Sequence, residues 1–557
     1  MSTPCIRHEP EINSSHLPGD SARPSTRPSG ASGRGPSAER GGSSVPDFGI
    51  GSWPRRRARI NPDAVALRQA TRTSTYADLA FQVDVLARAM AARGVGRGDR
   101  IAYLGGNDIA AFTVFFASGR LGAVFVPLNT RLTGNEIAEL IADAQPAALF
   151  HGLEHQRIVD EIAPRIATIV SIDELTRRGG PWFCDEAPEA CVDRTGSEHD
   201  VPDIAGPVGL DDDAVILYTS GTTGAPKGAV LSHGNLTFNT MNQLAHVDVL
   251  GTDIALCVSP LFHATGLGLV ALPTLFKGGT VVVAPKFDPD TILATIPDLR
   301  ITSFAAVPTM LQMLCDHPDF GRSDTRSLRY VIYGGSAVAE RVAVAWQRRG
   351  VAVLHGYGMT EAAPGVSLAV VDGSVERPVS AGLPHFFTDI TIAGGAGGGA
   401  SGDPGELLVR GLNVSRRYWR QPVETPPESG DGWFRSGDVV RIAPDGWLHV
   451  VDRIKDMIIS GGENIYPGEV EACVNAIPGV SECALIGVPD ERWGEVGCVY
   501  VVSDGTAPLT EQGLRRALRG RLAPYKIPRY VRFVDQIAKN ATGKVSKKLL
   551  REAAVDT

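Results

Sequence analysis

Short runs of β-branched and other apolar residues alternate with longer amphipathic segments from about residue 48 to residue 451. This alternation is typical of a parallel sheet whose strands are joined by crossover helices. Buried strands are predicted at 101–104, 123–126, 214–218, 281–284 and 330–333. The pattern therefore predicts an α/β fold, and its recurrence along the chain predicts two similar α/β halves.

Two of the predicted helices carry their own start signals. Thr75 precedes a segment whose apolar residues share one face, and Gly94 stands just beyond its end. Thr133 and Glu136 form a capping-box pattern before another amphipathic segment. Helices are predicted to begin after each threonine.

The chain of 557 residues is longer than one hydrophobic core usually serves. A glycine-dense tract at 393–405 predicts a mobile connection, and short strands follow it. Past residue 452, helix and strand signals recur at 467–476, 484–488, 498–502 and 510–522. We expect an extension at 1–48, a large domain at 49–452 and a small separate domain at 453–557.

Composition excludes several classes of protein. The net charge of −8 comes without a long run of either sign, which argues against nucleic acid as a partner. The eight cysteines include no Cys-x-x-Cys pair and indicate reduced thiols in a cytoplasmic protein. The most apolar stretch, 264–276, is too short and too interrupted for a transmembrane segment, although peripheral membrane association stays open.

The first 48 or so residues are rich in Ser, Pro, Gly and Arg and have no apolar core typical of a secretory signal. This composition predicts a disordered extension. Frequent Arg and Ser also occur in transit peptides, but the acidic residues of the segment count against that alternative.

The segment 218–228 reads Tyr-Thr-Ser-Gly-Thr-Thr-Gly-Ala-Pro-Lys-Gly and follows an apolar strand. Its glycines allow backbone N–H groups to approach phosphate oxygens, its hydroxyls donate hydrogen bonds, and Lys227 adds a charge. The candidate phosphate-binding residues are Thr219, Ser220, Gly221, Thr222, Thr223, Gly224 and Lys227. Pro226 and Gly228 exclude a Walker A loop, and the alternative is a turn that only joins two strands.

This loop resembles the signature of the adenylate-forming superfamily, which contains acyl-CoA synthetases, nonribosomal peptide adenylation domains and beetle luciferases. Further motifs of that superfamily occur in order at 260–263, 333–336, 356–361, 433–438, 452–456, 461–467 and 540–544. The resemblance is closest to fatty-acyl-CoA synthetases and covers nearly the whole chain after residue 48. It implies a large N-terminal domain of two similar α/β subdomains plus a small β-rich subdomain, followed by a small mobile α+β domain.

The resemblance also implies a first half-reaction, in which a carboxylate attacks the α-phosphate of ATP and expels pyrophosphate. It implies catalytic roles for Lys544, Glu361, Thr223 and Lys227, with Glu361 as the Mg²⁺ ligand. Residues expected to bind the nucleotide, besides the loop, are Gly334, Gly335, Gly356, Tyr357, Thr360, Asp438, Arg453 and Lys544. Without the resemblance, Asp438 and Arg453 suit a surface ion pair, and Lys544 suits a basic tail.

In the second half-reaction the resemblance implies that the small domain rotates about Lys455 so that the thiol of CoA can attack the acyl-adenylate. Gly461 and Gly462 would then line the path of the CoA pantetheine, and His263 would close it and contact the acyl carboxylate. A buried histidine with ordinary hydrogen bonds is the alternative for His263.

The expected activity is an ATP-dependent, Mg²⁺-requiring acyl-CoA ligase acting on a hydrophobic acid, most simply a medium- or long-chain fatty acid. The acyl pocket is predicted around Asn239, Asn242, Ala306, Val307, Gly335, Gly358, Ala362 and Ala363. Alternatives are an aryl-CoA ligase, an acyl-AMP ligase that loads a carrier protein, and a non-catalytic acyl-nucleotide-binding protein. A homodimer is left open.

Overall fold

The computed structural model describes residues 47–163, 166–176, 206–219, 226–335, 338–393, 404–421, 428–429, 432–460, 463–519, 521–540 and 544–555. The predicted extension at 1–48 lies outside the described residues apart from its last two positions. Most of the glycine-dense tract, at 394–403, lies outside them as well.

Twenty-five strands are assigned in the described residues. They are β1 (Val65–Gln69), β2 (Arg72–Thr75), β3 (Arg100–Leu104), β4 (Val124–Pro127), β5 (Ala148–His151), β6 (Thr168–Ser171), β7 (Asp213–Thr219), β8 (Lys227–Ser232), β9 (Ile254–Cys257), β10 (Thr280–Val283), β11 (Ser303–Ala306), β12 (Tyr330–Gly334), β13 (Ala352–Gly358), β14 (Gly365–Leu368), β15 (Leu383–Pro384), β16 (Thr388–Ile392), β17 (Gly405–Gly411), β18 (Glu428–Ser429), β19 (Trp433–Ile442), β20 (Leu448–Arg453), β21 (Ile458–Ser460), β22 (Glu463–Ile465), β23 (Val480–Asp490), β24 (Gly494–Ser503) and β25 (Tyr530–Phe533).

The α-helices of the described residues are α1 (Trp53–Ile60), α2 (Tyr76–Ala91), α3 (Ile109–Leu121), α4 (Gly134–Ala144), α5 (Gln156–Ile162), α6 (Ile172–Thr176), α7 (His233–His246), α8 (Leu272–Lys277), α9 (Pro289–Asp298), α10 (Pro308–Asp316), α11 (Glu340–Gln347), α12 (Val371–Ser374), α13 (Pro467–Asn475), α14 (Glu511–Leu518) and α15 (Lys547–Val555). A π-helical segment, Gly266–Ala271, leads into α8. Within the described ranges, every helix is too short or too polar to cross a lipid bilayer.

Two large sheets form the two predicted α/β halves. One has the strand order β6-β5-β3-β4-β7-β8 and is parallel except for its edge strand β8. The other has the order β15-β14-β13-β12-β11-β9-β10-β1-β2 and is parallel from β13 to β1. The five strands predicted from apolar runs are confirmed, each with bounds shifted by at most one residue.

Helix α3 lies in the core shared by the two large sheets. Every residue of this helix is buried, and the core contains side chains from strands of both sheets, such as Leu67 of β1 and Phe125 of β4. An apolar sequence all around a helix is the expected result of burial on every side. The predicted capping box of Thr133 and Glu136 is present before α4, and the helix predicted after Thr75 begins with a second capping box, formed with Asp78.

Two smaller sheets follow. Strands β16, β17, β19, β18 and β20 form an antiparallel sheet, which is the predicted β-rich subdomain. Strands β22, β21, β24, β23 and β25 form the sheet of the C-terminal α+β unit, with its own core around Val470, Leu485 and Leu514. The predicted fold class is therefore confirmed.

Candidate active site

A cavity opens where strands of both large sheets end. It is lined by Thr219 at the end of β7, Gly335 after β12, Tyr357 in β13, and His263 and Lys544 from elsewhere in the chain. The carboxyl ends of parallel strands are the usual location of ligand sites in α/β sheets. The fold thus brings together residues that are more than 300 positions apart in sequence.

Asp438 is the centre of a polar cluster beside the cavity, which its partners Tyr357 and Arg453 line. Pairing of β19 with β20 places Asp438 opposite Arg453, and Arg453 Nε lies 2.9 Å from Asp438 Oδ1. The Tyr357 hydroxyl donates to Asp438 Oδ2 at 2.7 Å. Burial and the neighbouring carboxylate raise the pKa of Tyr357 well above its ordinary value, so this phenol remains a donor.

This cluster is more than a surface ion pair, because Asp438 is only 4% exposed while Arg453 is about half exposed. Each carboxylate oxygen has one lone pair engaged by the protein and keeps another for a ligand. The arrangement can therefore accept hydrogen bonds from two sugar hydroxyls that enter from the cavity.

Glycine is required at two consecutive positions beneath the cluster. A Cβ on Gly334 would lie 2.7 Å from the Gly356 carbonyl oxygen. Gly335 has φ of +90°, and a Cβ there would lie 3.0 Å from Lys544 Nζ. The absence of a side chain at Gly334 lets β12 and β13 lie close together. Its absence at Gly335 lets the Lys544 ammonium lie directly above the backbone.

Lys544 reaches this position from a turn closed by Asn540. The Asn540 side-chain oxygen accepts from the Lys544 backbone N–H at 3.0 Å, and the Asn540 N–H donates to the Lys544 carbonyl at 2.8 Å. Residues 541–543 of this turn lie outside the described residues. Desolvation and the Arg453 charge lower the pKa of Lys544, whereas Asp438 raises it. Because more than a third of the side chain still faces the open cavity, solvent screens these effects.

His263 lies near Lys544 and next to Phe262, with the two ring centroids 4.7 Å apart. Burial, followed by the positive charges of Lys544 and Arg131, lowers the pKa of His263 to about 4. The imidazole is therefore neutral near pH 7 and can offer one N–H and one lone pair to a ligand.

Glu361 is held by a residue that the sequence did not point to. The Tyr418 hydroxyl donates to Glu361 Oε1 at 2.7 Å, which leaves Oε2 for a cation. Lys227 Nζ lies 5.7 Å from the centre of the Tyr418 ring, within cation–π range. The Trp419 backbone N–H donates to the Gly228 carbonyl at 2.7 Å and ties this segment to β8. The adjacent aromatic pair 418–419, in an otherwise polar stretch, is the signal that could have revealed Tyr418.

Several predicted residues cannot be placed. Ser220, Gly221, Thr222, Thr223, Gly224, Gly461 and Gly462 lie outside the described residues. Thr219 and Lys227, which flank the loop, face each other across the β7–β8 pair. Gly356 and Thr360 line the cavity, and Lys455 is exposed in a single turn between β20 and β21. The hinge role of Lys455 stays a prediction, as do the domain boundaries.

The prediction of the acyl pocket needs a correction. Val307, Gly335 and Gly358 line the cavity, but Asn239 and Asn242 do not. The Asn239 amide bridges the Gly268 carbonyl and the Gly365 N–H, and the Asn242 amide bonds Thr388 and the Phe387 N–H. Both asparagines therefore join elements behind the cavity wall. Ala306, Ala362 and Ala363 do not line the cavity either.

Comparison with known proteins decides the family. The AMP-binding enzyme family matches residues 54–419, and the AMP-binding enzyme C-terminal domain matches residues 469–544. The chain belongs to the AMP-binding enzyme family. For this AMP-binding enzyme, the predicted class of AMP-forming acid–thiol ligase and the predicted use of ATP, Mg²⁺ and CoA are confirmed.

Three similar proteins illustrate the range of the family. A feruloyl-CoA synthase from Amycolatopsis sp is 46% identical over 500 residues, covering 90% of this chain and 98% of the relative. The long-chain-fatty-acid–CoA ligase FadD13 from Mycobacterium tuberculosis is 33% identical over 511 residues, covering 90% and 98%. The crystal structure of ATP-bound MatB from Rhodopseudomonas palustris superposes with a TM-score of 0.80 at 32% identity, covering 92% and 99%.

Proposed function

We propose that this AMP-binding enzyme activates an aromatic carboxylic acid as its adenylate and transfers the acyl group to CoA. The observation that carries the proposal is the 46% identity over 500 residues to a feruloyl-CoA synthase, against 33% to a long-chain-fatty-acid–CoA ligase. Phe262, Leu269 and Val307 line the cavity and can supply apolar contacts to an aromatic ring.

In the first step, a carboxylate oxygen of the acid forms a bond to the α-phosphorus of ATP, and the bond to pyrophosphate breaks. The ammonium of Lys544 above Gly335 is suited to neutralise the charge shared by the carboxylate and the α-phosphate. Lys227, beside the Tyr418 ring, is suited to hold the departing phosphates.

The remaining groups hold the nucleotide. Asp438 would accept from the ribose hydroxyls while Tyr357 and Arg453 keep its carboxylate in place. Glu361 would hold Mg²⁺ through Oε2, because Tyr418 occupies Oε1. The bound ion would offset the charge on the phosphates.

In the second step, the sulfur of CoA attacks the acyl carbonyl carbon, the bond to AMP breaks, and the thiol proton leaves to solvent. Neutral His263 can donate its N–H to the acyl carbonyl oxygen of the adenylate without adding a charge. Rotation of the C-terminal unit about Lys455 would clear Lys544 from the path of the thiol.

A medium- or long-chain fatty acid is the second candidate substrate, favoured by the 33% identity to FadD13. Pyrophosphate exchange with cinnamic acid and decanoic acid separates the two candidates. We expect kcat/KM to be about tenfold higher for the aromatic acid, since a pocket shaped for an aromatic acid fits a flexible aliphatic tail less well. A higher kcat/KM for decanoic acid would show that a fatty acid, not an aromatic acid, is the preferred substrate. Absence of exchange with either acid would contradict both candidates.

A further inference from the structure

Asp452 makes a hydrogen bond that crosses the predicted hinge. It lies near the end of β20, next to Arg453, in the small antiparallel sheet. Its Oδ1 accepts from the Arg453 backbone N–H at 2.7 Å, and its Oδ2 accepts from the Gly468 backbone N–H at 2.6 Å. Gly468 belongs to α13 of the C-terminal unit, and Lys455 lies between Asp452 and Gly468 in sequence. The bond to Gly468 therefore joins the two sides of Lys455.

This bond caps the N-terminus of α13. Pro467, the first residue of the helix, has no N–H, so the Gly468 N–H is the first donor that the helix leaves free. In the described part of the chain, the preceding residue Tyr466 provides no side-chain cap. The Asp452 carboxylate takes this place from 16 positions away, and its negative charge suits the positive end of the helix dipole. The start of α13 is thus fixed by a residue of the preceding sheet.

The start of α13 also packs directly on β20. A Cβ on Gly468 would lie 2.5 Å from the Val451 carbonyl oxygen, so the helix approaches the strand as closely as glycine allows. Burial raises the pKa of Asp452, and the positive charge of Lys547 on α15 is the strongest effect that opposes this rise. Asp452 therefore interacts with α13 through a hydrogen bond and with α15 through charge.

A chain of contacts leads from Asp452 to Lys544. Glu471 lies on α13, and its Oε1 is 3.0 Å from Lys547 Nζ. Both side chains are largely shielded from solvent, which strengthens the ion pair. Lys547 begins α15, directly after the turn that carries Lys544. The cap on α13 thus helps to fix α15, and with it the position of Lys544 above Gly335.

We propose that Asp452 is a positioning residue for adenylation, which holds the C-terminal unit in the orientation that places Lys544 above Gly335. The inference rests on the proposed function, in which this unit rotates about Lys455 between the two half-reactions. Because Asp452 and Gly468 lie on opposite sides of Lys455, that rotation breaks the bond between them. Asp452 therefore favours the first half-reaction and is not needed in the second.

Asp288 provides a matched control. It precedes α9, whose first residue is also a proline, and its side chain accepts from the Thr291 backbone N–H at 3.3 Å. This cap joins Asp288 to the helix that directly follows it, far in sequence from Lys455. Asp288→Ala therefore removes an aspartate cap from a helix without altering the contact across the hinge.

The test measures pyrophosphate exchange with cinnamic acid and, separately, thioester formation from supplied cinnamoyl-adenylate and CoA. Asp452→Ala should slow exchange by about tenfold, the effect of losing one charge-assisted hydrogen bond. Thioester formation should proceed at the wild-type rate or faster. Asp288→Ala should leave both rates unchanged. In a Lys544→Ala background, Asp452→Ala should slow exchange no further, because Asp452 acts through Lys544.

The outcomes distinguish this inference from the proposed function. An unchanged exchange rate in Asp452→Ala, or an equal fall in both half-reactions, would overturn the positioning role and leave the aryl-CoA ligase standing. A further tenfold fall in the Lys544→Ala background would also overturn it, since Asp452 would then act independently of Lys544. If wild type uses decanoic acid and not cinnamic acid, the aryl-CoA ligase fails, and the same variants decide the role of Asp452 with decanoic acid and decanoyl-adenylate. Absence of exchange with both acids would overturn the proposed function and this inference together.

Discussion

The two ends of the cavity are built differently. Beside the nucleotide end, the protein supplies partners for the charged side chains: Asp438 bonds Tyr357 and Arg453, and Glu361 bonds Tyr418. At the acyl end, Phe262, Leu269 and Val307 offer apolar surface to the cavity. Charged groups that would meet the nucleotide are therefore held by protein partners, whereas the acid would be recognised mainly by apolar contact.

The largest effect is expected when Lys544, at the nucleotide end of the cavity, is replaced. Lys544→Ala should slow adenylation by roughly 10² or more, because it removes a charge placed where charge develops. Thioester formation from supplied aryl-adenylate should continue. The two half-reactions are measured separately, with Lys539→Ala as a control, since Lys539 lies before the same turn and pairs with Glu482. An equal fall in both half-reactions would show that Lys544 does not act in adenylation alone.

A smaller effect is expected for Asp438, which would bind the ribose hydroxyls. Asp438→Asn keeps the shape of the side chain but loses the charge that engages Arg453, and should raise the KM for ATP by about tenfold. Pyrophosphate exchange at varied ATP concentrations measures it. Asp389→Asn, at an exposed pair with Arg410, is the control and should have no effect. An unchanged KM for ATP in Asp438→Asn would remove this residue from nucleotide binding.

Tyr418→Phe tests whether the hydrogen bond from Tyr418 to Glu361 contributes to activity. It removes the donor to Glu361 and keeps the ring beside Lys227, so kcat should fall about threefold to tenfold and more Mg²⁺ should be needed for half-maximal rate. Tyr525→Phe, at an exposed tyrosine, serves as the control. A lower kcat with unchanged Mg²⁺ dependence would separate Tyr418 from the metal site.

The smallest effect concerns pH. The pKa of His263 is lowered to about 4, so this residue stays neutral between pH 7 and 5, and burial also holds the pKa of His385 well below its ordinary value. The ratio of kcat/KM for cinnamic acid to kcat/KM for decanoic acid should therefore be constant across this range. A ratio that changes with a midpoint near 6.5 would show that His263 titrates.

The same lowered pKa values predict a loss of stability in acid. In the unfolded chain these histidines bind protons from about pH 6.5 downwards, whereas the folded chain keeps them neutral. The free energy of unfolding should therefore fall as the pH decreases from 7 towards 4. Urea unfolding at a series of pH values measures this, and a constant free energy would contradict the burial assigned to the histidines.

The difference between the two ends also explains how much the sequence could predict. Asp438, Arg453, Tyr357 and Lys544 lie in contiguous motifs, and the structure brings them to one place. Strands and capped helices were likewise predictable from local patterns, as with Thr133 and Glu136 before α4.

The acyl end could not be predicted in the same way. Gln243, His385 and Leu269 come from three separate segments with no shared motif, and only the folded chain shows that they line one wall. Asn239 and Asn242 were placed there wrongly because their backbone partners, such as Gly268 and Phe387, are distant in sequence. Tyr418 was missed for the same reason, since Glu361 is 57 positions away.

A crystal structure with a non-hydrolysable adenylate analogue of cinnamic acid tests the nucleotide site most directly. The ribose hydroxyls should lie within hydrogen-bond distance of the Asp438 carboxylate. A ribose held away from Asp438 in an otherwise intact site would contradict the proposed role of this residue.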